Sequence, residues 1–150
     1  MDKKQAFLGR IKHAPDDPAR AELRAALREL SQALMPLHRA LINAARDDYE
    51  AGGLGMITGA THLLRLLQED PFFGWLQPMT SLIVDIDEIV RADFQGEDAM
   101  AITRRADMLF GTCVDPGFAD RYLQVLQRDV DVAAGHAAVR LRLARLPRQA

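Results

Sequence analysis

The sequence predicts an all-α protein, a helical bundle of four main helices with a short helical connector. The chain is rich in Ala, Leu and Arg, residues that favour helices. Apolar residues recur at steps of three and four through its longer segments, as on one face of a helix. Asp-Pro pairs, which commonly begin helices, and glycine-rich breaks, which end them, divide the chain into segments of helical length.

The chain's 150 residues suit a single domain with a sizeable core. We expect residues 17 to 150 to form one helical-bundle domain, preceded by a charged and weakly patterned N-terminal arm over residues 1 to 16. The single cysteine, Cys113, rules out an internal disulfide and favours a reducing compartment. No apolar run approaches the roughly 18 residues of a membrane span, and no signal-peptide pattern occurs. We therefore predict a cytoplasmic protein without a membrane partner.

The first main helix is predicted from about Pro18 to Ala51. Asp17 can cap its first turn, where the missing N–H of proline does no harm. Its leucines recur at alternating steps of four and three, which is typical of a seam that packs along another helix. These residues are Leu23, Leu27, Leu30, Leu34, Leu37 and Leu41. Pro36 lies inside the helix, removes one backbone hydrogen bond and predicts a kink there.

The rest of the chain is predicted to form the connector and three further main helices. The connector covers 59 to 77 and holds a short helix followed by the stretch DPFFGWLQP. The second main helix is expected from Pro78 to about Asp93, and the third from about Glu97 to Phe110. The last is expected to begin at Pro116 and to run on as one helix to about Leu146.

The formal net charge of −2 marks neither a nucleic-acid-binding nor a membrane-binding protein. The charge is uneven, because residues 47 to 100 are acidic and both ends of the chain are basic. The acidic middle could meet the basic ends within one bundle or between two copies, or the two could form separate solvated faces. The basic run at 140 to 148 lacks interleaved aromatic residues, and no helix-turn-helix pattern precedes it, so we expect no nucleic-acid partner.

Three of the aromatic residues, Phe72, Phe73 and Trp75, fall within four positions. Such a cluster either plugs the core and seats a connector, or, if exposed, anchors a protein partner through its large apolar area. We single out these three residues as candidate partner-binding residues.

Three polar residues fall among apolar ones and are the candidate ligand or metal residues. His38 lies among the leucines of the first helix, and Asp129 and His136 fall within the apolar stripe of the predicted last helix. Buried groups of this kind need hydrogen-bond partners, so a polar network that fixes helix register is one interpretation. A site for a transition metal or a small ligand is the other. Neither HExxH nor repeated Glu-x-x-His pairs occur, so no motif specifies the metal.

The stretches LHRALINAARDDYE at 37 to 50 and LLRLLQEDPFFGWLQPMTSLIVDIDEIV at 63 to 90 resemble a group of short uncharacterised bacterial helical proteins. The resemblance lies in the middle of the chain and rests on these two stretches and their order. It implies a helical fold and a bacterial source, and it implies no activity, cofactor or site residue.

We expect a non-enzymatic interaction or assembly module. It would act through a homo-oligomer seam, for which the leucine repeat is a candidate, or through the aromatic cluster at 72 to 75, and its partner would be a second copy or another protein. The alternative is a metal- or small-ligand-binding bundle that uses His38, Asp129 and His136. No catalytic residue is predicted, and the sequence leaves enzymatic activity open.

Overall fold

A computed structural model describes residues 16 to 111 and 115 to 147, which form six α-helices, one 3-10 helix and no strand. The helices are α1 (Pro18–Ala51), α2 (Ala60–Glu69), α3 (Gln77–Val90), α4 (Gly96–Phe110), α5 (Pro116–Arg128) and α6 (Val130–Leu143), and the 3-10 helix (Pro71–Leu76) lies between α2 and α3. The all-α prediction is confirmed. None of these helices is long and apolar enough to cross a membrane. Cys113 and residues 1 to 15 of the predicted arm lie outside the described residues.

Helix α1 is the longest helix, and its bounds agree with the prediction. Asp17 caps it, since its carboxylate accepts a hydrogen bond from the backbone N of Arg20 at 2.8 Å. Pro36 lies inside α1, which is assigned as one helix on both sides of it. The five leucines from Leu27 to Leu41 in the predicted seam are completely buried. The seam is therefore used within the chain, against the neighbouring helices.

The other helices pack around α1. The largest contacts of α1 are with α6 and α3, and it also touches α4 and the 3-10 helix. Helix α4 packs on α3 and α6, and α5 packs on α6 and the 3-10 helix. The core lies between these elements, and its fully or almost fully buried members include Met79, Leu82 and Ile86 of α3, Ala99, Ile102 and Ala106 of α4, and Val132, Val139 and Leu143 of α6.

The prediction of one continuous last helix is wrong, because α5 and α6 are separate helices that meet at Asp129. The backbone of Asp129 is extended, with φ −118° and ψ 115°. Its side chain accepts a hydrogen bond from the backbone N of Val132 at 3.0 Å. This bond satisfies an N–H that has no acceptor inside the helix, so Asp129 begins a new helix and does not lie on a continuous helical face.

Ion pairs join the acidic middle of the chain to its basic C-terminal part. Arg105 of α4 pairs with Asp85 of α3 at 2.6 Å, and Arg128 of α5 pairs with Asp48 of α1. Of the arrangements that the sequence leaves open, these two pairs correspond to contact between the acidic middle and the basic C-terminal part within one chain. Because the side chains of these pairs are partly solvent-exposed, each pair contributes about 0 to 1 kcal/mol to stability.

Candidate functional site

The aromatic cluster Phe72, Phe73 and Trp75 lies on the 3-10 helix. Asp70 begins this helix, since its carboxylate accepts a hydrogen bond from the backbone N of Phe72 at 2.9 Å. Phe73 is completely buried, and its ring centroid lies 5.5 Å from that of Tyr49 near the end of α1. The cluster thus seats the connector on the core, in agreement with the core-plug interpretation of the sequence.

Phe72 and Trp75 are half-buried, and they are the members of the cluster that reach the surface. The guanidinium of Arg121 lies 5.1 Å from the ring centroid of Phe72, and the rings of Trp75 and Phe118 are 5.9 Å apart. Helix α5 therefore already covers part of both aromatic rings. The indole Nε1 of Trp75 is buried without a hydrogen-bond partner in the described part of the chain.

His38 is partly buried between α1 and α3, as the sequence predicts. Its Nε2 lies 3.0 Å from the hydroxyl oxygen of Thr80. Thr80 in turn donates a hydrogen bond to the backbone oxygen of Leu76 at 3.2 Å. Burial lowers the pKa of His38, because a charged imidazole loses hydration there. These contacts suit a histidine that joins two helices.

His136 lies on α6 against Tyr122 of α5. The Tyr122 hydroxyl and Nδ1 of His136 are 2.7 Å apart, and the hydroxyl donates when the imidazole carries its proton on Nε2. Burial, followed by the positive charge of Arg140, lowers the pKa of His136. Burial also raises the pKa of Tyr122. Both side chains are therefore neutral near pH 7, and their hydrogen bond joins α5 to α6.

His38, Asp129 and His136 are each bound to a different partner. His38 contacts Thr80, Asp129 caps α6, and His136 contacts Tyr122. Within residues 16 to 111 and 115 to 147, no group of three or more His, Cys, Asp or Glu side chains is placed to hold a metal ion. A ligand site built on these three residues stays a prediction.

The outer face of α6 is a candidate binding surface that sequence reasoning missed. Val130 and Leu141 are 82% and 65% exposed, and Ala134 and Ala137 between them are also exposed. We call these four residues the α6 stripe. They recur at steps of four, three and four, so they lie along one side of the helix. This spacing is the sequence signal that could have identified the stripe. The signal is weak, because the buried residues on the opposite side, such as Val139, already explain why α6 has an apolar face.

Helices α1 and α6 run antiparallel beside each other. Arg145, just after α6, pairs with Glu29 in the first half of α1 at 3.2 Å. Arg128, just before α6, pairs with Asp48 near the end of α1. Each ion pair therefore joins the beginning of one helix to the end of the other, as expected for antiparallel helices.

The two helices approach most closely where Gly135 of α6 meets Leu37 of α1. A Cβ added at Gly135 would lie 3.1 Å from the Cβ of Leu37. A groove of about 400 Å³ runs between the helices at this level. Its walls include Pro36, Arg39 and Asn43 of α1 and Asp131, Ala134 and Ala138 of α6. The solvent side of α1 therefore flanks the α6 stripe across this groove.

Arg24 is a buried charge that sequence reasoning also missed. Its guanidinium bonds both carboxylate oxygens of Asp16, at 2.7 and 3.0 Å, and donates to the backbone oxygens of Val90 and Ala92. It also lies 5.0 Å from the ring centroid of Phe94. Arg24 thus ties the start of α1 to the turn between α3 and α4, which is a structural role.

Comparison with known proteins gives no match: no family model, no curated protein and no solved structure matches the chain. The resemblance to bacterial helical proteins therefore stays a prediction.

Proposed function

We propose that the protein is a non-enzymatic helical interaction or assembly module whose binding face is the outer side of α6. The observation that carries the proposal is the exposed α6 stripe, with Val130 and Leu141 at its ends. Burying a valine or leucine side chain in a partner is worth about 1.5 to 3 kcal/mol. Exposed apolar residues scattered singly are ordinary, whereas a continuous row on one helix suits a partner.

The other two candidate surfaces, the leucine repeat of α1 and the aromatic cluster, are buried or partly covered, which favours α6 as the binding face. The leucines are buried against neighbouring helices, so an oligomer seam on α1 would require the chain to open. Phe73 is buried, and α5 covers part of Phe72 and Trp75. The outer side of α6 needs no such rearrangement.

The proposal includes three finer features of the molecule. We propose that α1, α3, α4 and α6 form a four-helix core, which the contacts α1–α3, α3–α4, α4–α6 and α6–α1 support. We propose a bend in α1 at Pro36, where proline removes a backbone hydrogen bond. We also propose that the protein acts in the cytoplasm. A rigid core of this kind would hold the α6 stripe outward at a fixed angle.

Photo-crosslinking in the cell that makes the protein tests the binding face. A photoreactive amino acid at position 130 should give a crosslinked product, either a dimer or a complex with another protein. Leu141→Glu in the same chain should abolish this product, because a carboxylate would be buried in the interface. The matched control places the photoreactive residue at Leu64 of α2, which is 55% exposed and lies outside the stripe. No product from position 130, or equal products from both positions, would overturn the proposal.

A further inference from the structure

We propose that α5 is a lid over the 3-10 helix that opens on acidification while the other helices stay packed. Opening would uncover Phe72 and Trp75 of the aromatic cluster, which α5 covers in part. The hinge would be Asp129, and the group that responds to pH would be His136. His136 lies outside the α6 stripe, so the lid is a second property of the molecule and does not depend on the proposed binding face.

Asp129 is placed to act as the hinge between α5 and α6. Its backbone N donates to the backbone oxygen of Val125 at 3.0 Å, which is the last helical hydrogen bond of α5. Its backbone oxygen accepts from the backbone N of Ala133, also at 3.0 Å, which is the first helical hydrogen bond of α6. Rotation about the extended backbone of Asp129 can therefore move α5 without breaking a helical hydrogen bond in either helix.

Aromatic contacts hold the lid closed near pH 7. The ring centroid of Phe118 lies 5.9 Å from that of Trp75 and 5.6 Å from that of Phe110 in α4. The backbone N of Asp115, which caps α5, also donates to the backbone oxygen of Met108 at 2.6 Å. The buried side chains of α5 that opening would expose include Phe118, Tyr122 and Val125. The open state is therefore rare near pH 7, because water would meet this apolar surface.

The closed lid leaves one polar group unsatisfied. The indole Nε1 of Trp75 is buried and has no hydrogen-bond partner in the described part of the chain. A buried N–H without an acceptor costs free energy, because it has lost its hydrogen bond to water. Opening of α5 would return water to this N–H, which offsets part of the cost of exposing the apolar side chains.

Protonation of His136 opposes the closed lid. Near pH 7 the Tyr122 hydroxyl of α5 and Nδ1 of His136 are joined by a hydrogen bond of 2.7 Å. A protonated imidazole carries a hydrogen on both ring nitrogens, so Nδ1 can no longer accept from the hydroxyl. The added charge would also lie in a partly buried place near the positive charge of Arg140.

The charged groups around His136 do not compensate for its protonation. Within the described residues, Arg140 on the same helix is the charged group that acts on the pKa of His136. From α4, the carboxylate of Asp107 lies beside Gly111. The carboxylates of α1 that reach the two ends of α6 are each bound by an arginine, Glu29 by Arg145 and Asp48 by Arg128.

Acid therefore shifts the balance towards the open lid. Burial, followed by the charge of Arg140, lowers the pKa of His136 in the closed form. In the open form the imidazole is in water and titrates near its ordinary pKa of about 6.5. The open form thus binds the proton more readily, and its population rises as the pH falls below about 6.5.

Hydrogen exchange of the purified full chain, followed by NMR, tests the lid. The backbone amides of Tyr122 and Val125 should have protection factors about tenfold or more below those of Leu30 in α1 and Leu82 in α3. Low urea concentrations should change the exchange of the α5 amides little, because a local opening exposes little surface. The Nε1–H of Trp75 should exchange together with the α5 amides.

Two results of this experiment would overturn the lid. One is equal protection, with equal urea dependence, in α5, α1 and α3, since α5 would then open only when the whole molecule unfolds. The other is a Trp75 Nε1–H that stays protected while the α5 amides exchange, since α5 would then not be its cover.

The pH dependence of the same amides tests the role of His136. Between about pH 7.5 and 5.5, on either side of the ordinary histidine pKa, α5 protection factors should fall several-fold in the wild type and stay nearly constant in His136→Asn. His38→Asn is the matched control, because His38 also has a pKa lowered by burial but joins α1 to α3. It should keep the wild-type fall, and an equal fall in His136→Asn would overturn the pH response.

Tyr122→Phe tests the same contact from α5 and serves if His136→Asn does not fold. The variant keeps the aromatic ring and removes the hydroxyl that bonds His136. The protection of the α5 amides at about pH 7.5 should fall several-fold, with the urea dependence still small. Unchanged protection of α5 in this variant would mean that opening does not break the bond, which contradicts the proposed lid.

Discussion

His136 couples the packing of α5 on α6 to pH. In the neutral tautomer that carries its proton on Nε2, Nδ1 of His136 accepts from the Tyr122 hydroxyl, and protonation of the imidazole would turn Nδ1 into a donor. The pair would then need a reversed hydrogen bond in a partly buried place. Arg140, whose charge opposes a second positive charge nearby, donates to the backbone oxygen of Phe110 at 3.0 Å and is held in position.

We expect the free energy of unfolding to fall as the pH falls below about 6.5, the ordinary pKa of histidine. Because the folded-state pKa of His136 is lowered, the unfolded chain binds the proton more readily than the folded chain. The stabilisation is therefore present above about 6.5 and is lost as the pH falls through the lowered pKa. His136→Asn keeps an acceptor for the Tyr122 hydroxyl but does not titrate. The free energy of unfolding of this variant should therefore fall less steeply as the pH falls.

Urea unfolding at several pH values between about 5 and 7.5 measures this difference. Comparison of the variant with wild type removes the common contribution of carboxylates that titrate in both proteins. His38, whose pKa is also lowered by burial, should supply part of the slope that remains. The same slope in both proteins would contradict the role given to His136.

Sequence reasoning at the residue scale identifies polar groups but not their partners. The helical position of His38 predicts partial burial, and the structure agrees. Asp129 shows the limit, since the same angular argument places it on an apolar stripe while the structure uses it as a cap. An aspartate is a good helix start and a poor interior residue, and the prediction of one continuous helix placed Asp129 in the interior.

Helix α6 has two apolar sides, and this property links its packing to its proposed function. One side, with Val132, Val139 and Leu143, is buried against the core. The other side is the α6 stripe. Gly135 lies on the flank that faces α1, where the lack of a side chain allows the close approach to Leu37.

Gly135→Ala should lower the free energy of unfolding by about 1 to 2 kcal/mol, as overpacking of a core does. The added Cβ would lie 3.1 Å from the Cβ and 3.2 Å from the Cα of Leu37, and Leu37 is completely buried. Because backbone atoms of α1 are involved, this strain should exceed the gain of about 1 kcal/mol from replacing glycine by alanine in a helix. Chemical denaturation at one protein concentration measures the change.

The matched control is Gly117→Ala in α5. Within the part of the chain that the structure describes, a Cβ there meets Asp115 Oδ1 at an ordinary 3.4 Å and no other atom within 4 Å, so stability should stay the same or rise. If both substitutions stabilise the protein equally, α1 and α6 are not closely packed at Gly135.

At the scale of the whole molecule, Arg24 joins parts of the chain that are far apart in sequence. Its bond to the backbone oxygen of Val90 connects residues 66 positions apart, at 2.7 Å. The guanidinium is almost completely buried, and the Asp16 carboxylate balances its charge. The hydrogen bonds of one side chain therefore hold the start of α1 against the turn after α3.

Arg24→Met should lower the free energy of unfolding by about 2 to 3 kcal/mol, since it leaves the Asp16 carboxylate and two backbone oxygens without this donor. The apolar stem of methionine keeps part of the packing on Phe94, so the variant should still fold. Arg104→Met on the exposed side of α4 is the control and should change stability by less than about 0.5 kcal/mol. Thermal and urea unfolding measure both variants, and equal losses would contradict the role of Arg24.

The helical class and the first helix could be predicted from local patterns, because the leucine spacing, Asp17 and the glycines after Ala51 act over a few residues. The contacts of Arg24 and the α6 stripe could not, because both depend on which helices become neighbours. The same leucine pattern suits a seam between copies or a seam within one chain. Only the packing of α3 and α6 against α1 decides between these two arrangements.

The position of Trp75 makes the chain its own fluorescent reporter. Trp75 is the sole tryptophan, its indole ring lies against Phe118, and its buried Nε1 lacks a hydrogen-bond partner in the described residues. Indole emission shifts to longer wavelength when water reaches the ring. The emission wavelength of Trp75 therefore reports whether the 3-10 helix remains packed against α5. A red shift that precedes the loss of helical circular dichroism would show that the connector leaves the core before the helices unfold.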